Sequence, residues 1–401
     1  MEGTNIRLLI FNHRPIYPPT SGGAKVIYDT SESLLKQGFE VRVVTLSSRY
    51  KSYTVKDDHF KIFEVPSRLW QAFALPLKMM SYSIKSTSFI QWRAIYDILA
   101  RDIAFQNSVS AILKEYDPDL ILCEHIYGYK ALSFIKTYLH IPLVIRELNV
   151  EAEYMALLCT DMLSKVAEGT IRGIESQALK GSSAVITLSL RDVSKIRQLY
   201  GIHADFTGVG MEVTDYGLVG SEIFEKLQLL KDDAYYLFIS SATKFALRSL
   251  EDLTQIFSRL PKVKLVAAGN VSKYVKSKQN IISAGFVKPE ELYQLYIHCH
   301  GVLAPLWRGS GVLIKMVEGL AHGQAVITTK WVAETLPNLS HLQNIYVVNS
   351  TSELEKAIRI LETDEGLRES LRKGAKSYHH HHLKWEHVTQ RMEKVFKRVV
   401  T

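Results

Sequence analysis

Cysteine is scarce. The 401 residues hold 3, Cys123, Cys159 and Cys299, far apart and without metal-like spacing. A disulfide framework and a cysteine zinc site are therefore excluded, and a reducing compartment follows. Each cysteine sits in an apolar context that suits a buried small residue. Long apolar runs are also missing. The N-terminal run Ile6 to Phe11 is too short for a signal-peptide core or a membrane span, which points to a cytosolic chain. No G-x-G-x-x-G is present, which argues against a dinucleotide-binding fold. No repeats or low-complexity tracts organise the chain. His379 to His382 read as a solvated polar turn, with a metal site as the alternative.

What is present is an ordinary globular composition, 47% hydrophobic and 22% charged, at a length natural for two domains. Lys plus Arg number 49 against 41 Asp plus Glu, a net charge of +8. That balance favours an anionic partner: a nucleoside diphosphate, an anionic lipid or nucleic acid. No recognition motif accompanies the charge, which sets nucleic acid aside.

The most informative stretch is GVLAPLWRGSGVLIKMVEGLAHGQAVITT, from Gly301 to Thr329. Val302 to Leu306 reads as a strand. The loop Arg308, Gly309, Ser310, Gly311 leads into a helix burying Val312, Met316 and Leu320, which Gly323 ends before a strand at Ala325 to Thr328. Strand, glycine loop and helix form an arrangement that binds phosphate. The glycines let the main chain approach, and free amides with the helix dipole attract the anion. Lys315 adds a positive charge one turn in. Glu318, three residues on, projects from nearly the same side and suits a ligand rich in hydroxyls, such as a ribose. The plainer alternative is a tight turn followed by a solvated Lys315–Glu318 helix pair.

At these residues the chain resembles the retaining glycosyltransferases of the GT-B fold, family 4, in the branch whose motif reads P-L-x-x-G-S-G-x-x-x-K-x-x-E-x-x-x-x-G-x-x-V-x-x-T. The matching residues are Pro305, Leu306, Gly309, Ser310, Gly311, Lys315, Glu318, Gly323, Val326 and Thr329. Many family members carry a glutamate where Ser310 stands. The resemblance implies two α/β Rossmann-like domains facing across a cleft, with a final helix crossing back to the first. The expected boundaries are 1–210, 221–384 and 385–401, joined by a glycine-containing linker at Thr207 to Gly220. It also implies a nucleoside diphosphate sugar as co-substrate, with no cofactor and no metal if Lys315, Arg308 and helix-end amides supply the positive charge.

In the first domain, Arg7 to Phe11 and Val41 to Leu46 read as strands around a helix opened by Ser21, Gly22 and Gly23 and closed by Gly38. In the resembling enzymes this glycine loop faces the donor, and domain closure would bring Gly22 and Gly23 over it. Asp119 to Cys123 and Leu143 to Arg146 read as further strands. Relatives often carry E-H-N-x-E after the second. Here Glu147, Asn149 and Glu151 match, and Leu148 replaces the histidine. Glu147 thereby joins Lys315 and Glu318 as a candidate catalytic residue, and His125 is the nearest candidate substitute for the missing imidazole. A helix at Ile171 to Leu179, a strand at Ala184 to Leu188 and a helix at Arg191 to Tyr200 capped by Ser189 complete this domain.

Strands at Tyr235 to Ser240, Val263 to Ala268, Ile281 to Val287 and Tyr346 to Val348 build the second. The resemblance assigns donor contacts to Gly22, Gly23, Lys244, Arg308, Ser310, Gly311, Val312, Leu313, Lys315 and Glu318, with Arg248 a further available cation. Phe286 and Val287 are candidates beside the base, core packing being the alternative. Helices at 290–296, 352–361, 364–377 and 385–400 follow from apolar spacing.

Residues 66–101 interleave Trp70, Phe73, Trp92 and Tyr96 with Arg68, Lys78, Lys85, Arg93 and Arg101 against one acid, Asp97. Such a stretch suits an anionic membrane surface or helices packed on the first domain. The expected function is transfer of a hexose-type sugar from a UDP- or GDP-sugar to an acceptor hydroxyl on a lipid-linked glycan or polysaccharide, with retention, in the cytosol or at the inner face of a membrane. The other classes left open are a nucleotide-sugar-binding protein without transferase activity and a peripheral membrane module. An epimerase on the same fold would leave the aromatic stretch without a purpose.

Overall fold

Strands buried on both faces need continuous apolar runs rather than alternation, and this chain supplies them. Arg7–Asn12 (β1), Leu120–Glu124 (β5), Leu143–Glu147 (β6) and Tyr235–Ile239 (β9) are buried almost throughout. A computed structural model of the chain describes residues 6–19, 21–47, 50–56, 60–67, 96–97, 99–133, 140–158, 162–230, 233–275 and 280–401. Most of the basic aromatic stretch 66–101, and Cys159, lie outside the described residues. The chain forms two units, one of Met1–Gly210 with Trp385–Thr401, the other of Met211–Lys384.

The first unit carries an eight-stranded sheet in the order β3-β4-β2-β1-β5-β6-β7-β8. Beyond β1, β5 and β6 it contains Glu40–Ser47 (β2), Lys51–Lys56 (β3), Phe60–Pro66 (β4), Ala184–Thr187 (β7) and Asp205–Phe206 (β8). All neighbours are parallel except β3, which runs antiparallel to β4 at the edge. The helix Gly22–Lys36 fills the first crossover, its N-cap Ser21 accepting from the Ala24 amide. The final helix, Trp385–Val400, belongs to this unit. Phe396 stacks edge-on against Phe39, and Arg391 donates to the Thr207 carbonyl at 2.8 Å.

The second unit carries a six-stranded parallel sheet in the order β11-β10-β9-β12-β13-β14. Its strands after β9 are Lys264–Ala268 (β10), Ile281–Gly285 (β11), Gly301–Ala304 (β12), Val326–Thr329 (β13) and Tyr346–Val348 (β14). In both sheets the order reverses beside the first strand, between β1 and β5 and between β9 and β12. At such a switch point the loops leaving the carboxyl ends diverge and open a ligand crevice. The two α/β units with parallel sheets match the fold class read from the sequence.

Two local readings need correction. Val312 lies in the loop, because the helix starts only at Ile314 and runs to Ala321. His379 to His382 form, with Leu383, a wide helical turn continuing the helix Glu365–Tyr378, with a His379 ring nitrogen 2.8 Å from the Met211 carbonyl. Cys123 and Cys299 are free and buried. Among the described residues no helix is long and apolar enough to cross a membrane.

Candidate functional site

The end of β12 and the loop leaving it are tied down by three side chains. Ser249 donates to the Pro305 carbonyl at 2.5 Å, Thr329 to Leu306 at 2.6 Å and Thr328 to Ala304 at 2.8 Å. With its entry fixed, the chain turns through Gly311 at φ 68°, a left-handed conformation that a side chain would strain. The helix Ile314–Ala321 then begins after Leu313, which has no side-chain oxygen with which to cap it. Its first amides and the positive end of its dipole are left to an outside acceptor. The Ser310 hydroxyl oxygen beside them is buried and has no hydrogen-bond partner among the described residues.

Lys315 and Glu318 sit one helical step apart, and Lys315 Nζ lies 2.7 Å from Glu318 Oε2. The buried Tyr296 hydroxyl donates to the same oxygen at 2.8 Å, and its ring stacks on His322 with centroids 4.2 Å apart. The carboxylate is thus held by a rigid phenol on one side and a movable ammonium on the other. An incoming diphosphate could draw Lys315 away without disordering Glu318. Nothing in the sequence singled out Tyr296. At helical spacing in Pro289–His298 it reads as an ordinary core residue.

The other candidates in this unit are spread around the switch point. Lys244 opens the helix Lys244–Phe257 after β9, is exposed, and lies over the Phe245 ring. Arg248 is exposed and pairs with the exposed Glu251 and the buried Asp252. Arg308 and Arg248 line a hollow of about 480 Å³ with Phe245 and Trp307, whose indole donates to Asp252 at 3.0 Å. Phe286 is 83% exposed, which removes the core-packing alternative for it; Val287 is half-buried.

In the first unit, Gly22 and Gly23 begin their helix, and a Cβ on Gly23 would stand 3.6 Å from the Leu148 side chain. The glycine loop and the departure from E-H-N-x-E therefore adjoin. Glu147, at the end of β6, is fully buried. Neither of its oxygens has a hydrogen-bond partner among the described residues. Burial, followed by the charges of Glu175, Glu151 and Asp192, pushes its carboxyl well above the usual range. His125 Nδ1 lies 2.6 Å from Glu151 Oε1, and Tyr127 donates to Glu151 Oε2. Glu175 reaches the start of the helix Glu151–Leu158 and accepts the amides of Glu151 at 2.6 Å and Ala152 at 3.1 Å, capping it from another helix. Tyr200 donates to Glu175 as well. Arg146 takes no part: it is bound two-pronged to Glu124, at 2.8 and 2.5 Å.

Asp192, also buried, is pushed up to about 8 by burial first and by Glu153 next. An unfolded aspartate titrates near 3.9, so the folded chain holds this proton more tightly. Its contribution to stability is complete below about pH 4 and is lost as the pH climbs through about 8. The urea midpoint should therefore fall between pH 5 and pH 9, and Asp192→Asn should flatten that slope. An equally steep slope in the variant would remove Asp192 as its source.

The family model described as Glycosyltransferase Family 4 matches residues 20–207, and that described as Glycosyl transferases group 1 matches residues 235–364. Solved structures resemble the whole chain. Sucrose-phosphate synthase from Thermosynechococcus elongatus is 12% identical at a TM-score of 0.76, over 98% of this chain and 99% of that one. Anabaena HepE in complex with UDP is 12% identical at 0.68, over 98% and 100%. The catalytic domain of starch synthase IV from Arabidopsis thaliana, bound to ADP and acarbose, is 11% identical at 0.68, over 99% and 100%. At these identities the likeness is one of fold. No curated protein sequence matches significantly.

Proposed function

The chain belongs to the glycosyltransferases of the GT-B fold, and from that premise we propose that it moves a hexose-type residue from a UDP- or GDP-sugar to an acceptor hydroxyl with retention. The observation that carries this reading is the uncapped helix at Ile314, with Gly311 before it and Lys315, Glu318 and Tyr296 gathered at its first turns. The amides and Lys315 receive the diphosphate, Arg308 adds charge at the loop, and Glu318 accepts from the ribose hydroxyls. Stabilising the departing diphosphate with preorganised donors is the main source of rate. Phe286, exposed at the end of β11, is available to a base. In an attack on the face that the leaving group vacates, the diphosphate itself takes the acceptor's proton, so a leucine at 148 is tolerable. The donor site requires no metal in this reading. The proposed acceptor is a lipid-linked glycan or a polysaccharide.

Calorimetric titration with UDP, GDP and ADP tests the site. One diphosphate should bind in the micromolar range and weaken at least about tenfold in Glu318→Ala, a change of about 1.4 kcal/mol. No binding by any of the three would end the assignment. Ser310 in place of the frequent glutamate, and Leu148 in place of histidine, favour a second reading, a protein that binds the donor without transferring it. It predicts the same calorimetric result with neither transfer nor hydrolysis.

A further inference from the structure

The buried corner at the ends of β5 and β6 is built for a ligand of its own. We propose that His125, Glu147 and Glu151 hold a divalent cation of the zinc or manganese class. One ligand atom from each of the three lies within 4.8 Å of the other two. One imidazole and two carboxylates form a mixed nitrogen and oxygen set that suits zinc, manganese or ferrous iron.

Glu147 is the observation that calls for a cation. It is fully buried, and among the described residues both its oxygens lack a partner. A carboxylate taken from water without a partner is costly, and the adjacent guanidinium of Arg146 is committed to Glu124. Glu151, Glu175 and Asp192 are buried as well and bring carboxyl groups rather than a cation to this corner. The other two ligands are already oriented. Tyr127 donates to one oxygen of Glu151, and Glu175 holds the Glu151 amide. Such outer contacts fix a ligand's direction before the metal arrives. His125 and Glu151, 2.6 Å apart, share a hydrogen bond. A cation entering there would take the place of that hydrogen bond. All three ligands lie in the first unit.

The test uses the 401-residue chain in which His380, His381 and His382 are replaced by glutamine, to remove any binding by that run. After chelator treatment it is titrated with Co²⁺ alone, a spectroscopic stand-in for zinc, and separately with Mn²⁺. One equivalent of either should bind in the micromolar range, Co²⁺ with visible d–d absorption. Glu147→Gln removes a charge while keeping the shape, and should weaken binding at least tenfold with unchanged circular dichroism. Should that variant fail to fold, His125→Gln must show the same loss. No saturable binding of either ion, or equal affinity in a folded variant, would overturn the proposal.

Discussion

Arg146→Met should unfold the first unit in conditions where the parent chain is stable. Arg146 and Glu124 are both fully buried and joined by two charge-assisted bonds, at 2.5 and 2.8 Å. A third bond, at 3.0 Å, goes to the Thr30 hydroxyl on the first crossover helix. Removing the guanidinium strands the Glu124 carboxylate in an apolar interior, a loss of about 3–5 kcal/mol. That is a third or more of the roughly 5–15 kcal/mol that holds a typical domain together, unless this unit lies at the upper end of that range. The double substitution Arg146→Met with Glu124→Gln removes the stranded charge and should recover much of the loss. Because a chain of two units need not unfold in one step, hydrogen exchange resolved by peptide is the suitable measurement. Protection should fall across 1–210 in the single variant, return in the double, and stay unchanged within 211–384. A single variant as protected as the parent would show that the pair contributes no net stability.

Lys315→Ala and Glu318→Ala should each lower transfer more than about tenfold, the loss expected when a charged contact of about 1.5–3 kcal/mol disappears. The two should differ in kind. Charge grows on the leaving diphosphate as the glycosidic bond breaks, so a lysine that meets it acts most in the transition state and its loss falls on kcat. A carboxylate on the ribose is used alike in ground and transition states, so its loss falls on KM. Tyr296→Phe deletes one donor to Glu318 and should cost only a few-fold, about 0.5–1.5 kcal/mol. Parent-like rates in both alanine variants would end the donor-site assignment.

Much of this architecture is legible in the residues. Parallel strands buried on both faces announce themselves as apolar runs, and Ser21, Ser189 and Thr243 mark helix starts with side chains that do cap them. The 301–329 motif is legible because its spacing is local: Gly311, Lys315 and Glu318 are neighbours along the chain before they are neighbours in space. The acidic corner is not. Glu175 and Asp192 sit at helical positions where a polar residue ordinarily faces water, and only the tertiary fold turns them onto Glu147 and the amides of Glu151 and Ala152. The start of the helix at Ile314 was missed for a related reason. Val312 continues the apolar spacing, but Gly311 and Leu313 adopt non-helical backbone.

The assignment of Trp385–Thr401 to the first unit has a consequence for how the protein is made. Synthesis runs from the N-terminus, so all of 211–384 leaves the ribosome before the segment that finishes the unit begun first. The unit that starts earlier is completed later. Until Met392 and Phe396 arrive, the places they fill beside Arg146 and Phe39 stand open, and the nascent chain carries exposed apolar surface while the whole of 211–384 is made. The second unit is continuous in sequence and free of that delay.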